Sequence, residues 1–416
     1  MTRALFSYIY IFIFSLHAQV LTLKECIDGS LKNYPDVKIS FLNASQSKYA
    51  LNVAKADYLP QININANYNP ISTFALPQNG RFNTVEEKSY SINATVNQKI
   101  YDFSKTFSIV EAYKKDSEIA DLTLKDTRSL LIFNVKKLYD SAFLQKQTLK
   151  VLKKDLDAKE ELYKQALALV KEGLKTQADA LNIQSSLNLA KEDLAAAKAR
   201  LKKALYTLSL YIGKSIDTDI VILEDTKSTI KKEYPLFEDI SRDNPLLKGL
   251  EKGIERDSLL YQASISENYG SMDISASYTH QNSINEYDTS LVGITYTLPL
   301  YSGNRISSQT QKALVEKQKA KERYNLKKLL IKDEFESLMI DLKKYESTIE
   351  AKKSIIISSG AAKKIVEARY KEGLCTYIEV LDSLSSYLHA KLGLLESEFA
   401  QKSIINEIEY LQGHVK

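Results

Sequence analysis

The sequence predicts a mainly α chain with a transmembrane β part, written as two copies of one plan: a pair of short strands leading into a long α-helical hairpin. Three observations predict it: a repeat at about 200 residues, a shortage of turn formers, and sevenfold apolar spacing over long stretches. The 416 residues include 13 Gly and 7 Pro, where average usage would give roughly 29 and 21. Few turns mean few, long elements. The 57 basic and 52 acidic residues leave a formal charge of +5 spread along the chain, which is no nucleic-acid footprint. Two cysteines exclude a disulfide framework, a Cys-rich zinc site and an iron–sulfur cluster.

Residues 1–18 read as a secretory signal peptide. Arg3 precedes an apolar run from Ala4 to Leu16, then His17 and Ala18, the expected cleavage point. The run is short for a membrane-spanning helix, and no other segment has 18 uninterrupted apolar residues. A chain exported in this way is soluble or enters a membrane as β-strands. Cys26 follows Leu23-Lys24-Glu25, which does not suit lipidation, and reads as a buried thiol.

The two halves then match in order. Asn33-Tyr34-Pro35 echoes Asp243-Asn244-Pro245, Ile100-Tyr101-Asp102 echoes Leu300-Tyr301-Ser302, and Lys171-Glu172-Gly173-Leu174 returns as Lys371-Glu372-Gly373-Leu374. The first repeat is placed at 19–212 and the second at 241–416. Each opens with a helix of about 25 residues after its proline. Strands follow at about 61–69 and 90–100, and again at about 271–280 and 290–300. Ile62, Ile64, Ala66 and Tyr68 alternate with asparagines, and Ile274 and Ala276 alternate with Ser275 and Ser277, a period of two. A polar face of Asn, Ser and Thr suits a water-filled lumen; a small sandwich domain is the other reading.

Long helices come next. Val135, Ala142, Leu149, Leu156, Tyr163 and Val170 recur every seven residues, as do Leu187, Leu194, Leu201 and Leu208, then Phe335, Leu342, Ile349 and Ile356, then Leu381, Leu388 and Leu395. Sustained sevenfold spacing is a coiled-coil seam. A helix from about 105 to 171 would be roughly 100 Å long, with turns at Gly173 and Gly373. Four strands cannot close a barrel, since about eight are needed, and an open edge is not viable in lipid. Several chains must therefore share one barrel.

This ordered, duplicated set resembles the TolC-like outer membrane efflux proteins. The resemblance rests on the opening Leu21 to Ile27, the Asn-x-Pro step at Asn33 to Pro35, and the corners Tyr58-Leu59-Pro60, Ile100-Tyr101-Asp102 and Leu300-Tyr301-Ser302-Gly303. It extends to the tips Lys171 to Leu181 and Tyr370 to Asp382. Asn268-Tyr269-Gly270 departs from it by lacking a corner proline. The resemblance implies a homotrimer with a twelve-stranded β-barrel in the outer membrane of a Gram-negative bacterium and a periplasmic α-barrel. Residues 213–240 would form an equatorial insertion. The implied function is a passive exit duct for efflux or type I secretion, opened at its periplasmic tip by an adaptor and an inner-membrane transporter. Gly173, Leu174 and Thr176, with Gly373, Leu374 and Thr376, would be the tip turns that meet the adaptor. The rival reading is a periplasmic coiled-coil adaptor or structural protein with hairpins and no barrel.

Catalysis has no support in the sequence, and no cofactor or metal is implied. His280, His389 and His414 have no second histidine at ligand spacing, and no Gly-x-Ser-x-Gly or phosphate loop occurs. The candidate site is instead a periplasmic gate of Asp179, Tyr370, Glu379 and Asp382. Glu379 and Asp382 lie three apart and share a helix face. By themselves they read as solvated carboxylates on a Lys-rich helix. The resemblance places them at the family's acidic constriction rings, where three copies would attract cations. It places Asp179 and Tyr370 in the lock of the closed tip, with Cys375 where the lock's basic partner would stand. A tip closed by packing and weaker hydrogen bonds is the resulting expectation.

Overall fold

The computed structural model describes residues 20–218, 220–223 and 234–413. The signal peptide at 1–18, His414 and the middle of the insertion lie outside them. The elements are β1 (Val20–Leu21), α1 (Leu23–Asn33), α2 (Pro35–Ala56), β2 (Gln61–Gln78), β3 (Arg81–Tyr101), α3 (Lys105–Lys171), α4 (Gln177–Ile212), β4 (Val221–Ile222), α5 (Phe237–Asp243), α6 (Pro245–Ser266), β5 (Ser271–Asn282), β6 (Glu286–Thr297), α7 (Arg305–Lys371) and α8 (Tyr377–Leu411). The duplication is plain in the lengths. Helices α3 and α7 each have 67 residues, and α4 and α8 have 36 and 35. Among the described residues no helix is long and apolar enough to cross a membrane.

By contact the chain forms two compact units. One contains the residues up to Pro35, Arg128–Leu236 and those from Asp333 onward; the other contains Asp36–Thr127 and Phe237–Lys332. In the first unit, α1 packs on the end of α4. Asn33 donates from Nδ2 to the Ile212 carbonyl at 2.7 Å, and the Tyr34 and Tyr211 rings stack at 4.7 Å. Cys26 is fully buried, and burial pushes its thiol up to about 12. Strands β1 and β4 pair in parallel, and the Tyr139 hydroxyl bridges them, facing the Leu21 and Leu223 carbonyls at 2.9 and 2.7 Å. Val221 and Ile222, inside the expected insertion at 213–240, thus form a short strand. The buried Asp140 carboxylate is held by Lys402 at 2.7 Å and Asn406 at 3.0 Å.

The helical seams follow the sevenfold pattern and then drift from it. Val135, Ala142, Ile183, Leu187, Ala190, Ala197, Leu201 and Leu208 are buried, as are Phe335, Leu342 and Ile349. Toward the end of α4 Leu205 and Ile212, which lie off the Leu187-Leu194-Leu201-Leu208 spacing, are buried as well. In α8, Val380 and Leu384 are buried while Leu381 and Leu388 are half-buried. An α-helix turns once per 3.6 residues, so a strict seven-residue stripe slides about 20° per heptad around it.

The second unit carries one antiparallel sheet in the order β2-β3-β5-β6. Its four-stranded part covers the stretches that alternate in sequence. Beyond a register shift between Asn69 and Ser72, β2 and β3 continue as a two-stranded ribbon to a turn at Asn79-Gly80. This corrects the loop expected over 69–89. Pro70 and Pro77 lie on β2, an edge strand within the chain, where proline is tolerated. Strand β6 spans Glu286–Thr297 rather than 290–300, stopping short of Pro299, and the connection to β5 is correspondingly shorter than 281–289.

Both copies bend the same way between strand and helix. Phe103 and Ser104 have φ of 55° and 68°, and Gly303 and Asn304 have 60° and 62°. Phe103 holds this left-handed conformation between Tyr101 and Tyr269, with ring centroids at 4.9 and 5.3 Å. The missing corner proline of the second copy is replaced by Gly270 at φ 76°, where a Cβ would overlap the Thr297 carbonyl oxygen. Glu267 joins the starts of the two long helices, meeting Lys105 at 3.3 Å and Arg305 at 3.1 Å.

Candidate channel face and gate

The register sorts the sheet into two chemically distinct faces. Ile64 pairs with Ala94, Ala66 with Ile92, and Val96 with Ala276. Ile274 pairs with Ile294, and Ala276 with Val292. Directly paired residues share a face, so Ile64, Ile92, Ile274 and Ile294 lie together, with Asn65, Asn93, Ser275 and Thr295 on the opposite side. On the polar face, Asn93 donates to Thr279 Oγ1. On the apolar face, Ile64 and Ile294 remain 72% and 65% exposed. Among the described residues nothing covers Ile64 or Ile294. On β5 the apolar face ends at Tyr278; the next residue on that face, His280, is paired with Ile92 and meets Asp288 at 2.8 Å.

At the hairpin tips the two copies use one turn. Gly173 and Gly373 have φ of 75° and 74°, and the following Leu174 and Leu374 amides reach back to the Leu169 and Arg369 carbonyls at 2.9 and 2.8 Å. This is a Schellman ending, in which glycine takes the left-handed position at no steric cost. The two leucines stay exposed, at 63% and 67%. Thr176 and Thr376 then cap the returning helices. The Thr176 amide donates to Asp179 at 3.0 Å while the Asp179 amide donates to Thr176 Oγ1 at 3.2 Å. Thr376 and Glu379 repeat the exchange at 3.1 and 3.3 Å.

Two of the candidate gate acids therefore double as capping residues. The Thr376 amide and hydroxyl, aided by the Arg369 and Lys175 charges, hold the Glu379 carboxyl below its ordinary range. Glu379 and Asp382 are both exposed on α8, and Asp179 is half-buried on α4. Tyr370 lies in the last turn of α7 and is only 1% exposed, in a cluster with Leu162, Ala166, Ala180, Ile183, Cys375, Val380 and Leu384. Burial chiefly, with the Asp179 charge nearby, raises the Tyr370 hydroxyl. Among the described residues that hydroxyl has no hydrogen-bond partner, Asp179 included. The Cys375 thiol is also raised by burial and points back to the Val366 carbonyl at 3.4 Å.

Sequence reasoning missed the groups that cross between the tips. Lys175 Nζ donates to the Cys375 carbonyl at 3.2 Å, and Asn182 Nδ2 donates to the Tyr377 hydroxyl at 2.9 Å. The available signal was the repeat itself, since Lys175 and Cys375 are equivalent positions. The capping boxes were also legible as Thr176-x-x-Asp179 and Thr376-x-x-Glu379.

Known proteins show the same plan. The model of the family described as outer membrane efflux protein matches residues 26–214 and 243–414. The chain is 22% identical to outer membrane protein TolC of Escherichia coli (strain K12), over 95% of this chain and 82% of that protein. The solved structure of CusC superposes with a TM-score of 0.85 at 16% identity, covering 94% of this chain and 92% of that one. The outer membrane protein VceC from Vibrio cholerae gives 0.84 at 16% identity, covering 94% and 96%. With duplicated 67-residue helices, a two-faced four-stranded sheet and a family match across both copies, the chain belongs to the outer membrane efflux protein family.

Proposed function

We propose that three copies of this outer-membrane efflux channel close one twelve-stranded barrel and form a passive exit duct. Family channels are trimeric and work with an adaptor and an inner-membrane transporter in general. The observation that carries the reading for this chain is the open sheet β2-β3-β5-β6. Both edges need partners in lipid. Because the four strands alternate in direction, β6 of one copy can meet β2 of the next and keep an antiparallel sheet all round. Twelve-residue strands such as β5 and β6 rise about 3.4 Å per residue, and a tilt near 45° makes them span about 29 Å of bilayer. The exposed isoleucine face supports lipid contact, and the Asn, Ser and Thr face supports a wet lumen.

In this reading the hairpin tips are the periplasmic gate and the energy comes from the partners. Asp179, Tyr370, Glu379 and Asp382 surround the constriction. Gly173, Leu174, Thr176 and their equivalents Gly373, Leu374 and Thr376 offer the exposed turns to an adaptor. The family is a channel family, and no residue here is assigned a catalytic role. The test is recovery of the protein from outer membranes with detergent, followed by planar-bilayer recording. Trimer-sized channels support the duct. Extraction by salt alone, with no conductance, would favour a periplasmic interaction protein.

A further inference from the structure

The duplicated tips meet at equivalent positions that play unequal parts. Lys175 and Cys375 each precede the capping threonine of a returning helix. Lys175 sends its ammonium across to the Cys375 carbonyl at 3.2 Å, and the same ammonium lies 5.5 Å from the centroid of the Tyr370 ring. An ammonium on a carbonyl makes a charge-assisted hydrogen bond, and over a ring face it is attracted by the π-system. Cys375 offers no cation in return; its thiol is turned to Val366 in its own hairpin. Arg369 does not substitute, because its guanidinium donates to Leu374, again within its own hairpin, at 3.3 Å. The second polar link between the tips, Asn182 to Tyr377, is neutral and exposed.

We propose that Lys175 is the positioning residue that ties the first hairpin tip to the second, and that the tip opens by releasing this contact. Because Lys175 touches both the Cys375 backbone and the Tyr370 ring, its release frees the start of α8 and the end of α7 together. The opening half of the proposal rests on the duct reading above; the tie itself does not.

The experiment uses the full-length protein as wild type, Lys175→Met and Lys175→Arg, with two readouts. Amide hydrogen exchange of the detergent-solubilised protein follows the 374–380 segment against the strands. Planar-bilayer recording follows resting conductance. Lys175→Met is expected to speed exchange at 374–380 about tenfold with strand protection unchanged, and to raise resting conductance. Lys175→Arg is expected to restore both. Unchanged exchange in Lys175→Met would overturn the tie. Faster exchange with wild-type conductance would overturn its role in opening. A wild type that forms no channel would instead overturn the duct reading, and the exchange result would still decide the tie.

Discussion

Thr376 and Glu379 hold each other in both directions: the Thr376 amide donates to Glu379 Oε1 at 3.1 Å, and the Glu379 amide donates to Thr376 Oγ1 at 3.3 Å. The acid proposed to line the gate is thus also part of the turn that shapes it. Charge and cap are separable, and that separation yields the first expectation. Glu379→Gln keeps an oxygen acceptor for the cap and removes the charge; Glu379→Ala removes both. With Asp382→Asn added, either variant should lower cation selectivity, read as a reversal potential across a salt gradient. Only the alanine variant should also loosen the tip to hydrogen exchange. Unchanged selectivity in Glu379→Gln/Asp382→Asn would count against a ring of charges.

The same bond sets the pH dependence. The folded Glu379 carboxyl titrates below its unfolded value because Thr376 donates to the charged form. A group depressed in this way contributes stability above its unfolded pKa, and the contribution is lost as pH falls through the folded one. Cation selectivity should therefore persist through the ordinary glutamate range, near pH 4.3, and fade only below it. Recording reversal potentials between about pH 6 and pH 3, on either side of the ordinary glutamate range, checks this; loss of selectivity above that range would contradict it.

Sheet facing gives a sharp mutational contrast. Ile274 and Ser275 are neighbours on opposite faces. Ile274→Arg should cost roughly 2–4 kcal/mol near mid-bilayer, and Ser275→Arg much less. Yield of folded protein in a urea refolding series would show the difference. Equal tolerance of the two would be evidence against an isoleucine face in lipid.

Gly270 is expected to be the least replaceable glycine. At φ 76° and ψ −159°, with its missing Cβ directed into the Thr297 carbonyl, Gly270→Ala should destabilise by more than about 2 kcal/mol. Gly373→Ala, left-handed with open space around it, should cost about 1 kcal/mol. Unfolding midpoints of the two variants measure the order; a milder effect at Gly270 would contradict the corner geometry.

Burial makes both thiols poor nucleophiles, since only the thiolate reacts. Cys26 is pushed up to about 12, and Cys375 is raised as well. A maleimide at pH 7.5 should label neither in the folded protein (~8.5 being the free-thiol pKa) and both after denaturation. Rapid labelling of Cys26 in the native state would show that α1 is not packed as described.

How much of this was legible depends on the range of the interaction. Period-two alternation located the four-stranded part of the sheet because each face meets one environment. The ribbon beyond Asn69 was not legible, because a strand accepts Pro70 and Pro77 only at an edge, and that β2 lies at one is a property of the assembled sheet. The long helices and their glycine turns were plain, but the burial of Leu205 and Ile212 comes from helix geometry that a sevenfold count ignores. In the gate, Tyr370 and the acids were found by position, whereas the Lys175 contact with Cys375 required knowing that the two tips face each other. The Tyr370 hydroxyl was expected in a lock with Asp179, and it stands in the apolar cluster without a hydrogen-bond partner among the described residues.

Closure of one barrel by three chains is the central claim, and native mass spectrometry of the detergent-extracted protein tests it most directly. A single assembly of three copies is the expected result. A stable monomer, or a ring of two, would contradict it.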